Sequence, residues 1–240
     1  MSAMPIVREH DGIHVVRDDL LTGGTKTRFI NRMFERHEHI VYASPAEGGA
    51  QTALATAARA MGRRATIFVA KRGNPHPRSL MAKALGAAVY QVSPGYLAVV
   101  RARARAFCDA TGATHLPFGM DTPEAVAIIA EAAASTGIAP DEVWCAAGSG
   151  VLARALARAW PDARRCVVQV GRTLTPAEVA GARIYVYPAA FGATARSRPP
   201  FASCPHYDAK AWEMCRKHRG QGTVLFWNVT GPADPEASRS

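Results

Sequence analysis

The sequence of 240 residues has no C-x-x-C pair, no apolar run long enough to span a bilayer and no internal repeat. Its five cysteines are Cys108, Cys145, Cys166, Cys204 and Cys215. An odd, scattered set argues against a disulfide framework and against a cysteine-based zinc site. The first eleven residues also lack the apolar segment of a secretory signal. We therefore expect a cytoplasmic protein without a membrane partner.

Acidic residues are almost missing from residues 54–116. Ten Lys and Arg residues in this segment face one acid, Asp109, so the segment has a charge of +9 in a chain whose net charge is +10. Such a cluster attracts polyanions through neutralisation of their phosphates. The alternative is a generally basic, alanine- and arginine-rich composition. The candidate polyanion surface consists of Arg63, Arg64, Arg101 and Arg105.

What the sequence does contain is an ordinary apolar share of 48% and an alternation of strands, turns and helices. Short β-branched runs, such as residues 39–43 and 65–70, precede alanine-rich helical segments that end at glycines. This alternation predicts right-handed βαβ units and an α/β fold with parallel sheets.

The segment from Gly23 to Arg28, GGTKTR, places a lysine directly after two glycines and before a predicted helix. Paired glycines allow a sharp turn or a close approach to a ligand. A lysine held at such a turn is suited to Schiff-base chemistry when it is partly desolvated. The alternative is a solvated turn lysine.

A second glycine turn, Gly148-Ser149-Gly150, follows a predicted strand and precedes a predicted helix. Backbone amides in this context can bind a phosphate, although many α/β proteins use such a turn only to reverse the chain. The turn lacks the third glycine of a dinucleotide fingerprint and the lysine of a P-loop. His37 and His39 are interpreted as a helix-end surface, and we predict no metal site.

Several stretches, in order, resemble the fold-type II pyridoxal-phosphate (PLP) enzymes, whose fold is that of the tryptophan synthase β subunit. The nearest branch is that of 1-aminocyclopropane-1-carboxylate deaminase and D-cysteine desulfhydrase. The matching stretches are Gly23 to Arg28, Gly48 to Ala53 (GGAQTA), Gly148 to Gly150, Tyr207 to Lys210 (YDAK) and Val224 to Gly231 (VLFWNVTG).

The resemblance implies a role for each matching residue. Lys26 would form the Schiff base with the cofactor and, with Tyr207, act on the substrate. Asp208 would face the pyridine nitrogen and strengthen the ring as an electron sink. The remaining implied cofactor-binding residues are Gln51, Thr52, Gly148, Ser149, Gly150 and Thr230.

The resemblance also implies two three-layer α/β lobes and a homodimer. The large PLP-binding lobe would comprise residues 1–53 and 117–240, and the small basic lobe residues 54–116. Departures from the family pattern are Ala53 in place of an asparagine, Phe29 in place of a second basic residue and Val151 in the phosphate loop.

Small, divergent proteins that resemble this family occur in bacteriophages that hypermodify thymine in their DNA, where the compartment would be the host cytoplasm. The first hypothesis is therefore a PLP-dependent lyase, with decarboxylation favoured, acting on an amino-acid group attached to a modified thymine in DNA. The second is a deaminase or desulfhydrase of a free small amino acid. The third is an inactive nucleic-acid-binding relative, motivated by the residues at positions 29 and 53.

Overall fold

The computed structural model describes residues 4–233 and divides into two compact units. We name the part formed by residues 4–21 and 122–233 the terminal unit, and the part formed by residues 22–121 the central unit. Each has its own sheet. Within residues 4–233, no helix combines the length and the apolar character that crossing a bilayer requires.

The terminal unit is built on a six-stranded sheet with the order β1-β2-β10-β7-β8-β9. Only β1 runs antiparallel to its neighbour, as the first strand of a hairpin with β2; the other pairs are parallel. The elements are β1 (Val7–His10), β2 (Ile13–Arg17), α5 (Pro123–Ala134), β7 (Glu142–Ala147), α6 (Val151–Ala159), β8 (Arg164–Gln169), β9 (Arg183–Val186), α7 (Asp208–His218) and β10 (Val224–Asn228).

The two central strands of this sheet, β7 and β10, are buried along their whole length, as expected for parallel strands covered on both faces. One apolar cluster joins Trp144 and Phe226 on these strands to Trp212 on α7. Helix α5 begins after a side-chain cap, since the Thr122 hydroxyl accepts a hydrogen bond from the Ala125 amide at 3.1 Å.

The central unit has a four-stranded, fully parallel sheet with the order β5-β4-β3-β6. Helix α4 packs on β3 and β4, and α2 contacts both α1 and α3. The elements are α1 (Thr27–Arg36), β3 (His39–Ala43), α2 (Ala50–Ala60), β4 (Arg64–Ala70), α3 (Pro77–Ala84), β5 (Ala88–Val92), α4 (Leu97–Thr111) and β6 (Thr114–Leu116).

The predicted α/β fold with parallel sheets is confirmed. The division of the chain differs from the predicted one, because the central unit begins at Thr22 rather than at Leu54 and ends at Asp121 rather than at Leu116. Strand β3 pairs with β4 and β6, and α1 packs on α2, so residues 22–53 share a core with the basic segment. Strands β1 and β6 escaped prediction because both are short and only partly buried.

Candidate functional site

Lys26 closes a short 3₁₀ turn, Gly24–Lys26, that leads directly into α1. Gly23 and Gly24 have φ angles of +96° and +72°, which favour glycine. A Cβ on Gly23 would fall well inside van der Waals contact with the backbone of Ala53 in the first turn of α2. The Thr27 hydroxyl donates a hydrogen bond to the Thr22 carbonyl at 2.7 Å, which links the two ends of the turn. The half-buried lysine is thus fixed relative to α2.

Thr52 lies in the first turn of α2, next to the residue on which Gly23 packs. Its side chain is only 4% exposed, and its hydroxyl finds no hydrogen-bond partner among the described residues. A buried hydroxyl without a partner costs stability, so such a group invites a ligand. The turn that bears Lys26 and this hydroxyl are therefore neighbours within the central unit.

Gln51 was predicted to bind the cofactor, but its amide is committed inside the central unit. The side chain is fully buried and donates to the carbonyls of Pro45 at 3.1 Å and Ala46 at 2.8 Å. Its Oε1 atom accepts from the Ser79 hydroxyl at 2.7 Å. Gln51 therefore braces the loop before α2 against α3.

In the terminal unit, the Gly148-Ser149-Gly150 turn follows β7 and precedes α6. Gly150 is the N-cap of α6 with a φ of +83°, and a Cβ there would overlap the carbonyl of Glu178. The first amides of a helix have no acceptor within the helix, and the helix dipole favours an anion at this end. The turn and α6 thus have the donors that a phosphate requires.

Tyr207 lies against this turn, since its hydroxyl would be 3.6 Å from a Cβ on Gly148. Burial first, and then the charge of Asp208, raise the pKa of Tyr207 well above its usual value, while a hydrogen bond from the Gly148 backbone lowers it. The hydroxyl is therefore protonated at neutral pH and can serve as a proton donor rather than as a base.

Asp208 is fully buried at the first position of α7, where the helix dipole favours a carboxylate. The Thr230 amide donates to its Oδ2 atom at 3.1 Å, so two of the predicted residues meet here. Burial first, and then the charge of Asp208, also raise the pKa of the Cys145 thiol. The terminal unit thus brings together the predicted residues Gly148, Tyr207, Asp208 and Thr230.

The four arginines of the candidate nucleic-acid surface lie in two places in the central unit, two at the start of β4 and two on α4. Arg63 pairs with Glu38 at 3.3 Å just before β4, and the exposed Arg64 begins that strand. Arg101 lies 4.8 Å from the centre of the Phe118 ring, and Arg105 is exposed one turn further along α4. The histidines interpreted as surface residues bond to threonines, His37 to Thr114 at 3.0 Å and His39 to Thr66 at 2.8 Å.

Sequence reasoning missed the pair Arg172 and Glu178. Arg172 donates to the Gly148 carbonyl at 3.0 Å and to Glu178 at 2.5 Å. A signal for it existed, because Arg172 follows β8, the parallel neighbour of β7, and the carboxyl ends of such strands meet at one sheet edge.

Residues 5–225 match the sequence profile of the PALP family, described as pyridoxal-phosphate dependent enzymes. None of the curated proteins matches the sequence significantly. Among solved structures, an ACC deaminase homologue is similar at a TM-score of 0.80 and 17% identity, over 95% of this chain and 90% of that chain. Diaminopropionate ammonia lyase from Escherichia coli is similar at a TM-score of 0.67 and 16% identity, over 95% and 80% of the two chains. Threonine deaminase isoform 2 from Solanum lycopersicum is similar at a TM-score of 0.71 and 13% identity, over 99% and 82%.

The chain therefore belongs to the PALP family of pyridoxal-phosphate dependent enzymes and has their fold-type II architecture. The cofactor of this family is pyridoxal phosphate. The residues present fit it. The buried Thr52 hydroxyl is available to a ligand, and the turn before α6 offers amides to a phosphate.

Proposed function

We propose that the chain is a PLP-dependent lyase in which Lys26 binds the cofactor covalently and moves protons at the Cα atom of an amino-acid substrate. The observation that carries the proposal is the turn at Gly23 and Gly24, whose torsions and packing on Ala53 hold Lys26 at the start of α1. A lysine held rigidly is suited to attack an aldehyde and then to serve as an acid and base.

The other residues have supporting roles in this proposal. The amides of Gly148 to Gly150 and of the start of α6 bind the phosphate. Asp208, held as a hydrogen-bond acceptor by the Thr230 amide, keeps the ring nitrogen protonated. Tyr207 remains protonated and donates a proton near the phosphate turn. When bound, PLP supplies the electron sink that weakens bonds to Cα.

Reduction with borohydride tests the assignment of Lys26. Purified protein incubated with PLP should show the visible absorbance band of a lysine-bound cofactor, and borohydride should fix the cofactor to the peptide that contains Lys26. Lys71→Ala, at an exposed lysine after β4, is the matched control and should label normally. Label on Lys26→Ala protein would contradict the assignment, and a protein that stays colourless would favour the inactive relative.

The substrate we propose is an amino-acid group on a modified thymine in DNA, which the enzyme decarboxylates. Support comes from the charge of the central unit, where 14 Lys and Arg residues face five Asp and Glu. The alternative is deamination or desulfhydration of a free small amino acid. It is supported by similarity to an ACC deaminase homologue and to a threonine deaminase.

Salt-dependent DNA binding distinguishes the two substrates. If Arg101 and Arg105 each contact a phosphate, replacing both with glutamine should reduce the slope of log K against log salt by about 1.8. Replacing Arg158 and Lys217, exposed residues of the terminal unit, should leave the slope unchanged. If the rate of D-cysteine turnover is the same before and after the replacement of Arg101 and Arg105, a free amino acid is favoured as the substrate.

We also propose that the chain forms a homodimer. Light scattering of the purified protein should give twice the mass of one chain.

A further inference from the structure

A short segment of the terminal unit, residues 172–178, touches both ends of the Gly148–Gly150 turn. At one end, the Arg172 Nε–H group donates to the Gly148 carbonyl at 3.0 Å. At the other end, the Glu178 carbonyl lies so close to Gly150 that a Cβ could not be accommodated there. The conformation of the turn therefore depends on where residues 172 and 178 are held.

The side chains at the two ends of this segment are hydrogen-bonded to each other. The Arg172 guanidinium contacts Glu178 Oε1 at 2.5 Å and also donates to the Thr173 carbonyl at 3.0 Å. The second carboxylate oxygen of Glu178 accepts from the Thr175 amide at 2.8 Å and from its hydroxyl at 3.1 Å. We call residues 172–178 the clasp.

The ion pair between Arg172 and Glu178 affects how strongly the turn can attract an anion, because Glu178 is negatively charged. Arg172 first, and then a hydrogen bond from the Thr175 backbone, lower the pKa of Glu178 to about 2, so this carboxylate is ionised at neutral pH. Alone, it would repel a phosphate bound at the turn. Paired with Arg172, the two charges cancel, and the dipole of α6 is left to attract the anion.

We propose that the Arg172–Glu178 pair is a positioning pair that holds the Gly148–Gly150 amides in the arrangement for phosphate and so sets the preference of the enzyme for the phosphorylated cofactor. This inference rests on the proposed role of the turn in binding the phosphate. Neither side chain needs to touch the cofactor, because Arg172 acts through the Gly148 carbonyl and Glu178 through its own backbone beside Gly150.

Comparing PLP with pyridoxal, which lacks the phosphate, isolates this effect. Arg172→Ala should weaken PLP binding about tenfold, because one hydrogen bond to the turn is lost and a carboxylate is left unpaired beside it. Pyridoxal affinity and the melting temperature without cofactor should stay unchanged. The double variant Arg172→Ala/Glu178→Ala should recover part of the PLP affinity, since it removes the repelling charge. Arg158→Ala on α6, an exposed arginine outside the clasp, is the matched control.

An equal loss of affinity for PLP and pyridoxal, or no loss for either, would overturn the inference. If the unmutated protein bound neither compound, the proposed function would fail, and inorganic phosphate would still decide the role of the clasp. Phosphate should then shift the amide resonances of Gly148, Ser149 and Gly150 in the unmutated protein and shift them less in Arg172→Ala. Unshifted resonances in the unmutated protein, or equal shifts in both, would refute it.

Discussion

The two units present different chemical groups at their glycine turns. In the terminal unit, 14 Lys and Arg residues are nearly balanced by 12 Asp and Glu, and the turn before α6 offers uncharged backbone amides. In the central unit, 14 Lys and Arg face five acids, and the turn at Gly23 presents a lysine side chain. One turn offers donors that suit an anion, and the other carries the lysine that we propose as the nucleophile.

The two units also differ in how the buried polar side chains near their turns are hydrogen-bonded. Asp208 is buried in the terminal unit but accepts from the Thr230 amide at the positive end of a helix. In the central unit, both the Nε2 and the Oε1 atoms of the buried Gln51 form hydrogen bonds. The hydroxyl of its neighbour Thr52 has no hydrogen-bond partner among the described residues. Thr52 is one of several buried polar side chains without a partner among the described residues, and Trp212 is another in the terminal unit.

The largest expected effects come from adding a methyl group at the two glycine turns. Gly23→Ala and Gly150→Ala should each lower the free energy of unfolding by about 2–4 kcal/mol, because each forces alanine to a positive φ and drives its Cβ into backbone atoms. All four tryptophans lie in the terminal unit, so their fluorescence should report the loss for Gly150→Ala. Hydrogen exchange in residues 22–121 should report it for Gly23→Ala.

Gly62 and Gly137 are matched controls for these two changes. Their φ angles are +62° and +70°, but no described atom lies within 4 Å of an added Cβ. Each alanine should therefore cost only the torsional part, about 1 kcal/mol. Equal losses at clashing and open glycines would mean that torsion alone accounts for both turns.

The next largest effect is expected for Asp208→Asn. Asparagine retains an acceptor for the Thr230 amide but removes the negative charge that we propose faces the ring nitrogen, so kcat should fall about 100-fold. The melting temperature without cofactor should change little. Glu131→Gln, at an exposed acid of α5 in the same unit, is the control and should leave kcat unchanged. Unchanged turnover in Asp208→Asn would remove this carboxylate from the catalytic machinery.

Local pattern predicted much of this arrangement. Strands β3 and β4 were evident from their β-branched runs, and the turn at Gly23 from its glycine pair. These features depend on neighbouring residues, so a single sequence contains the information. The order of the motifs along the chain carried the resemblance to the family. The division into compact units assigns residues 22–53 differently from the predicted one, because strand pairing is set by distant segments.

The roles of Gln51 and Arg172 show where sequence reasoning ends. The Gln51 amide is bonded to Ser79, 28 positions away, and Arg172 to Gly148, 24 positions away. The Gln51 contact follows from neither composition nor periodicity, and the Arg172 contact could have been inferred only from the pairing of β7 with β8. A motif match placed Gln51 among the cofactor ligands because the motif gives the residue type, whereas side-chain direction depends on α3, which no part of the motif describes.

A smaller effect is expected when either of two buried hydroxyl groups of the central unit is removed, and the two removals should have different consequences. Thr52→Val removes a hydroxyl without a partner among the described residues, so the protein without cofactor should keep or gain stability. Its affinity for PLP should fall about tenfold if the hydroxyl binds the cofactor. Ser79→Ala removes a bonded hydroxyl and should instead cost about 1 kcal/mol of stability. Isothermal titration and thermal unfolding measure both, and a destabilised Thr52→Val would show that Thr52 is structural.

The smallest expected difference is the order in which acid weakens the two units. In the central unit, burial first and then Arg64 lower the pKa of His39, and burial followed by Arg105 and Arg101 lowers that of His115. Because the unfolded chain binds these protons more readily, stability is full above the ordinary histidine value of 6.5 and declines as pH falls below it. In the terminal unit, Glu178 has its pKa lowered from 4.5 to about 2, so its contribution declines only below 4.5.

Hydrogen exchange, corrected for the intrinsic effect of pH, should therefore show lost protection in residues 22–121 between pH 7 and 5.5 while residues 122–233 keep theirs. Replacing His39 and His115 with glutamine should abolish that early loss and leave protection at pH 7.5 unchanged, since both imidazoles are neutral there in the folded and the unfolded chain. Simultaneous loss in both units, or an early loss that survives the double replacement, would mean that these histidines do not set the acid response of the central unit.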